Sequence, residues 1–395
     1  METALHDGSQ DNAVEVARVM TAARALEPRI KAEVETMETD RCLSPSLVQA
    51  MKEAGIFRMA VAQAYGGLEL PPAAQVRVIE ELSRLDGSVG WCAMIGGAAG
   101  YLGGFLAPPV ARRLFGHIDG IAAGQVAPTG RADVVEGGYC VTGRWRFASG
   151  CQHATVLMGG CLIHDRGEPR RQADGQLEIR LMLMPVSACT IVDTWRTTGM
   201  RGTGSNDFAA QDVFVPTEES MGFFDPPQCS GPLYSLPHLF LVGHTGVPLG
   251  IARGAIDTVL ELSTQKVMLP AQRLLREEGQ VQETVAWAEA SLGAARSYAY
   301  DVIDELWQTL CRGEKPSPRL RAVYRTMMVY IHRLGKEVVE AMYDTAATSA
   351  VFQPNSLDRY MRDILTACQH RVVHAKIYRP AGRLLLGLDP GDPFI

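Results

Sequence analysis

No run of lysine or arginine stands out along these 395 residues, and the formal net charge is −6. A nucleic-acid or anionic-membrane partner needs a basic patch, so neither partner is expected. The nine cysteines are scattered, with no Cys-x-x-Cys pair and no regular framework. That excludes a zinc ribbon or a disulfide scaffold and reads as buried thiols in a reducing compartment, so a cytoplasmic setting is expected. The stretch METALHDGSQDN lacks the apolar core of a secretory leader. Apolar stretches such as Met94–Leu106 are broken by glycine and too short for a bilayer span. Internal repeats and low-complexity segments are missing too. What is present is enough chain for two or three domains, with 47% hydrophobic residues to build large cores.

Three textures follow one another. Residues 1–118 read as a helical domain. Val16, Val19, Met20, Ala23 and Leu26 fall at helical spacing. Ser44-Pro45 is an N-cap followed by proline at the first helical position, and Gly55 stops that helix. Pro71-Pro72 precedes an amphipathic helix ending at Leu85, and Asp86-Gly87-Ser88 caps another that carries Trp91 and Met94. Residues 119–226 read as a β-domain. Strand-like runs lie at 139–147, 155–163, 179–184, 190–194 and 208–215, with turn signals at Arg166-Gly167-Glu168-Pro169 and Asp174-Gly175. Residues 227–395 read as an antiparallel four-helix bundle, with helices over 250–266, 280–311 and 318–347 and a fourth from about Ser356 past Arg379.

The segment GGYCVTGRWRFASGCQH, residues 137–153, carries the most chemistry. Tyr139, Val141, Trp145 and Phe147 alternate with smaller or polar residues around a break at Gly143, the period of a half-buried strand. It ends in Ala148-Ser149-Gly150, a small hydroxyl residue beside a glycine that lets backbone approach something closely. Such a strand end makes a shelf for a flat cofactor; an ordinary hairpin is the alternative.

Helical, then β, then four-helix bundle is the order of the acyl-CoA dehydrogenase superfamily, and the sequence resembles that superfamily in several segments. They are Tyr65-Gly66-Gly67 before a helix, EELSRLDGS from Glu80 to Ser88, Phe147-Ala148-Ser149-Gly150, Gly199-Met200-Arg201-Gly202-Thr203-Gly204-Ser205 followed by Val213-Phe214-Val215-Pro216, and Arg362-Asp363. Their order and spacing extend over about residues 14–388. The resemblance implies a mainly α fold with a central, β-barrel-like domain between an N-terminal helical domain and a C-terminal four-helix bundle. It also implies a homotetramer, with bundles paired face to face.

Two chemistries run on that scaffold. Dehydrogenases take an α-proton from an acyl thioester with a glutamate while flavin takes a hydride. A second branch resembles two-component flavin monooxygenases, which accept reduced flavin from a separate reductase and react it with O₂. Dehydrogenases place the glutamate eight residues after the Arg-Asp pair, which here is Arg371, or a fixed distance before the first bundle helix, which here is Phe240. No Asp or Glu lies between Asp363 and Asp389, or between Asp225 and Asp257. His370 stands beside the first place, and the monooxygenase branch pairs such a histidine with the serine of a Ser-Gly strand end, here Ser149. The Arg-x-x-Phe-Gly segment that clamps FAD in dehydrogenases is missing: fourteen residues before Gln282 stands Met268, with Arg273 as a possible substitute.

The resemblance therefore implies a flavin-dependent monooxygenase. It would use reduced FMN or FAD, with O₂ as co-substrate, and direct a C4a-hydroperoxide at a small aromatic or heteroaromatic substrate. Ser149 and His370 are its implied catalytic pair. Gln125, Thr129, Trp145, Phe147, Ala148, Gly150, Thr203, Ser205, Arg273 and Gln282 are implied at the flavin. Trp91, Met94, Phe223, Phe224, Tyr234, His238 and Phe240 are candidates for the substrate pocket, with core packing or a docked linker as the alternative. His370 and His374, four apart on one expected helix, have the spacing of metal ligands, but no third ligand accompanies them and no metal is expected. An acyl-CoA dehydrogenase-type FAD oxidoreductase with a displaced base, and a non-catalytic flavoprotein relative, are the other readings.

Overall fold

The structure is a computed structural model that describes residues 8–222, 225–237, 239–270, 272–352, 355–392 and 395, with side chains from residue 12 onward. Phe223, Phe224 and His238 lie outside the described residues. Among the described residues six α-helices come first: α1 Gly8–Ala25, α2 Glu27–Asp40, α3 Pro45–Glu53, α4 Pro72–Leu85, α5 Gly87–Ala99 and α6 Pro108–Phe115. The caps are those the sequence signals. The Ser44 hydroxyl accepts the Leu47 N–H at 3.1 Å, opening α3. One oxygen of Asp86 accepts the N–H groups of Ser88 (2.9 Å) and Val89 (3.1 Å), opening α5. The other pairs with part-buried Arg359 at 3.0 Å. Helix α5 is buried almost all round, so it runs through the middle of the protein rather than along its surface.

The sheet contains β1 Ala122–Val135, β2 Gly138–Trp145, β3 Val156–Asp165, β4 Glu168–Pro169, β5 Ile179–Pro185, β6 Thr190–Val192, β7 Asp207–Pro216 and β8 Ser220–Met221. Their order is β6-β7-β2-β1-β3-β5-β8, with β4 on β3. Only the β1–β3 pair is parallel. Strand β1, at the centre of the order, is not among the expected strands; Pro128 and Gly130 interrupt it. The structure makes them bulges: the register against β3 slips on both sides of Pro128, and β1 joins β2 only from Arg131 onward.

After the sheet come α7 Gly246–Ser263, a short hairpin of β9 Val267–Met268 and β10 Arg273–Leu274, α8 Gly279–Cys311, α9 Pro318–Ala346, α10 Ser356–Ala367 and α11 Tyr378–Leu385. The apolar stretch Leu239–Ser263 is long enough to cross a membrane by length and composition, yet 89% of its most apolar window is buried inside the protein. It is a core helix. Helix α4 packs along α7, and one hydrophobic core runs through the N-terminal helices and the bundle together. A second core, built on Trp145, Leu157, Met182, Met184 and Phe208, belongs to the sheet.

The fourth bundle helix does not run past Arg379. Helix α10 stops at Ala367, and two 3₁₀ turns, Arg371–Val373 and Ala375–Ile377, precede α11. His370 and His374 sit in extended conformation before those turns, and each turns its Nδ1 onto a backbone N–H two residues ahead, Val372 at 3.4 Å and Lys376 at 3.1 Å. Side chains that capture nearby backbone compete with the helix, and the β-branched pair Val372-Val373 adds to the break. The two histidines therefore do not share a helix face.

Candidate active site

Trp145, the last residue of β2, and Phe147, just beyond it, face opposite sides. Trp145 is wholly buried, stacks on Phe208 with ring centroids 4.8 Å apart, and donates its indole N–H to the Gly160 carbonyl at 2.8 Å. Three glycines make room for the ring: a Cβ at Gly130, Gly143 or Gly159 would come within 2.9 Å of it. Trp145 is therefore a pillar of the sheet core and does not flank a cofactor. At Phe147 the backbone takes φ +63°, which reverses the side chain's direction. Its ring is 52% exposed, edge-on to half-buried Trp195 at 6.3 Å, with the Arg146 guanidinium 5.0 Å over it. A non-glycine residue held in the left-handed region is strained, and such strain gathers at functional sites.

Two further predicted residues hold this edge open. Below Arg131, β1 and β2 part, and side chains bridge the gap: Thr129 Oγ1 donates to the Arg144 carbonyl at 3.1 Å and Gln125 Nε2 to the Arg146 carbonyl at 3.5 Å. Ala148 and Gly150 are tied by backbone bonds to Asn206 and Thr203.

Ser149 ends this edge, with a partner on each flank. Trp91 Nε1 donates to Ser149 Oγ at 3.0 Å, Ser149 Oγ lies 2.6 Å from Ser205 Oγ, Ser205 Oγ lies 2.7 Å from Thr203 Oγ1, and Thr203 Oγ1 donates to the Met200 carbonyl at 2.7 Å. Thr203 and Ser205 are both buried. They stand behind Ser149, with both hydroxyls engaged inside the chain. Met200 is itself clamped: its N–H donates to Asp363, and its carbonyl also accepts the Trp195 indole N–H at 2.9 Å. This is what Arg362-Asp363 does for the Gly199–Ser205 loop. Burial, with the Asp86 charge beside it, raises the Asp363 carboxyl to about 8.

On the other side of Trp91 lie three imidazoles. The Trp91 ring stands edge-on at 5.5 Å to both His244 and His370, which stack on each other at 4.6 Å, and His332 lies 6.4 Å from His244. Burial pushes His370 and His332 down to about 4. His244 is held well below the ordinary value by burial and by the other two rings and Arg325. All three rings are neutral at neutral pH. His370 Nδ1 faces the Val372 N–H, which leaves its proton on Nε2. His332 Nδ1, 2.9 Å from the Met328 carbonyl, must carry its proton there, which leaves a bare lone pair on Nε2. That Nε2 and His244 Nδ1 are buried without a hydrogen-bond partner.

Met94 packs on Gly243, next to His244. Tyr234 is buried against Gly104 and Tyr101 and donates to the Ala60 carbonyl at 3.3 Å; Phe240 stands 6.0 Å from Tyr101. These aromatics pack on one another as a cluster. Arg273 pairs with Glu278 at 3.0 Å and Gln282 donates to the Arg276 carbonyl at 3.0 Å, so within one chain both are engaged locally, away from the Ser149 edge. Sequence reasoning missed His244, His332 and Trp195. The only available signal was position: His244 falls one helical turn after Phe240, the place where a dehydrogenase base was sought.

Residues 15–104 match the family model for the acyl-CoA dehydrogenase N-terminal domain, and residues 242–375 match that for the acyl-CoA dehydrogenase C-terminal domain. An indole-3-acetate monooxygenase of Pseudomonas putida is 29% identical over 364 residues, covering 92% of this chain and 92% of its own. A flavin-dependent monooxygenase of Rhodococcus jostii, oxygenase subunit HsaA, is 27% identical, covering 86% of this chain and 90% of its own. A solved structure of XiaF from Streptomyces sp., in complex with FADH2 and glycerol, shares the fold with a TM-score of 0.89 at 23% identity, over 98% of this chain and 100% of that one. The two domain matches together take in more than half of the sequence, and the chain belongs to the acyl-CoA dehydrogenase superfamily, where it stands with the flavin-dependent monooxygenases.

Proposed function

We propose that this protein is the oxygenase component of a two-component system. It takes reduced flavin from a separate reductase and, with O₂, oxygenates a small aromatic or heteroaromatic substrate. The observation that carries this is Trp91: its N–H rests on Ser149 while its ring packs on His244 and His370, so the hydroxyl side and the imidazole side are one unit.

The residues fit a flavin. An exposed aromatic edge, Phe147 and Trp195, adjoins the Gln125 amide and the Ser149 hydroxyl, which suits a flat ring edged with polar atoms. Phe147, Gln125 and Ser149 would hold it. Once bound, reduced flavin supplies the electrons that activate O₂. Trp91 and Met94, both buried, would keep water from the space beside it. His370, neutral with its proton on Nε2, would serve as a hydrogen-bond donor in the site. The partnerless nitrogens of His244 and His332 suit a hydroxyl or ring N–H on the substrate, because a buried polar atom without a partner costs about 1–3 kcal/mol. Arg273 is turned to Glu278 and no Phe-Gly follows Met268, which favours FMN, or a loosely exchanged flavin, over clamped FAD. A homotetramer in the cytoplasm belongs to the same proposal. An apolar depression of about 500 Å³ on the outer bundle face, lined by Ala294, Tyr298, Thr326, Tyr330 and Tyr378, is a suitable face for pairing bundles.

The test is anaerobic titration with reduced FMN and reduced FAD, followed by O₂ in the presence of phenol and indole probes. Binding of reduced flavin and oxygenated product are expected. If neither reduced flavin binds, the proposal fails.

A further inference from the structure

The hydroxyl chain behind Ser149 has only one way to arrange its protons. Its two ends are fixed by chemistry: the Trp91 indole nitrogen can only donate, and the Met200 carbonyl can only accept. A contact of 2.7 Å between Thr203 Oγ1 and a carbonyl oxygen requires the threonine proton between them. Thr203 then has none for Ser205, so the 2.7 Å contact there takes the proton of Ser205. Ser205 in turn has none for Ser149, so the 2.6 Å contact takes the proton of Ser149. Three hydroxyl protons fill three contacts, all running from Ser149 toward Met200. Ser149 Oγ accepts from Trp91, donates to Ser205, and is left with one lone pair.

We infer that Thr203 and Ser205 are positioning residues that fix Ser149 as an acceptor toward the flavin and so select its reduced state. This rests on the proposed function. Flavin N5 carries a hydrogen when reduced and a bare lone pair when oxidised. A flavin bound with N5 at the free lone pair of Ser149 Oγ would be held by a hydrogen bond from the reduced N5–H, and when oxidised would meet the Ser149 oxygen lone pair to lone pair. No proton moves and no bond is made in this selection; the hydroxyls set only a direction. The Asp363 clamp on the Met200 N–H holds the peptide that terminates the chain.

The experiment measures dissociation constants for reduced and oxidised FMN, with FAD in parallel, under anaerobic conditions in wild type, Ser205→Ala, Thr203→Val and Thr203→Ser. Wild type is expected to favour the reduced form. Ser205→Ala removes the acceptor of the Ser149 proton, and Thr203→Val lets Ser205 turn its own proton onto Ser149. Either frees Ser149 to donate, so oxidised flavin binds more tightly than in wild type and the reduced-to-oxidised preference falls about tenfold, the size of one net hydrogen bond. For the bound two-electron couple that is a fall of about 30 mV in midpoint potential. Thr203→Ser keeps the hydroxyl and the wild-type preference. Tighter binding of oxidised flavin is a gain that a merely damaged protein does not show. If both hydroxyl-deleting variants keep the wild-type preference, the directional chain is wrong while the proposed function stands. If wild type binds no reduced flavin, the proposed function itself fails, and the selection with it.

Discussion

On the Ser149 side of Trp91 every hydroxyl in the chain has a partner on both flanks; on the His370 side two buried ring nitrogens have none. Both sides are enclosed, so burial alone does not separate them. The difference lies in what satisfies the polar atoms. The hydroxyl side is closed by the protein's own groups and tied through Met200 to Asp363, which makes it rigid before anything binds. The imidazole side keeps unpaired nitrogens that a substrate's polar atom completes. A pre-wired cofactor side and an open substrate side are what an enzyme needs if it is to meet its flavin in one fixed orientation and a substrate afterwards.

The most severe way to break the hydroxyl side is to remove its footing. Trp145→Ala, which empties the sheet core under the strand end, is expected to cost about 3–5 kcal/mol in chemical denaturation. On the imidazole side, His370→Asn should leave folding intact yet lower product formed per O₂ consumed by about a hundredfold, within the range of a positioned proton donor. Unchanged coupling would remove His370 from the reaction. Asp363→Ala, which unclamps Met200, is expected to lose about 2 kcal/mol, and Asp363→Asn less than half of that, because the buried carboxyl is protonated at neutral pH and asparagine matches it in charge and shape. Equal losses in the two variants would mean that the carboxylate charge matters.

Acid should act on the imidazole side. His332 and His370 take up a second ring proton only near pH 4 in the fold, while unfolded histidine takes it near 6.5. Between those values the unfolded chain binds more protons, so stability present above about pH 6.5 is lost as pH falls toward 4. His244 adds in the same direction. A melting temperature that stays level across this window in wild type would contradict the neutral cluster. His332→Gln should flatten the fall. The smallest stability effect belongs to exposed Phe147: Phe147→Ala should change stability by less than about 1 kcal/mol yet weaken reduced-flavin binding several-fold.

Much of the fold was legible because local signals agreed with it. The caps at Ser44 and Asp86 and the alternation in β2, β3, β5 and β7 all gave their elements. Strand β1 was not legible, since a Pro-Thr-Gly run in isolation is a turn and becomes a bulge only when β3 pairs with it. Trp145 and Phe147 share a face by period two, but the strand ends at Trp145 and the positive φ at Phe147 turns the next side chain outward. Thr203 and Ser205 were recognised as site residues, but that their hydroxyls run inward behind Ser149 was not legible, because sequence names the group and not which way it points. Ser149 and His370 came from resemblance. That Trp91 joins them, and that His244 and His332 surround the second, depends on how α5, α7 and α9 pack, and no spacing along the chain records it.

The most direct test of the central claim is isotopic. Protein given reduced FMN or reduced FAD under oxygen-18, with phenol and indole probes, is expected to yield an aromatic product carrying one oxygen-18 atom. An unlabelled probe, together with tightly held oxidised FAD that is bleached by an acyl-CoA, would contradict it.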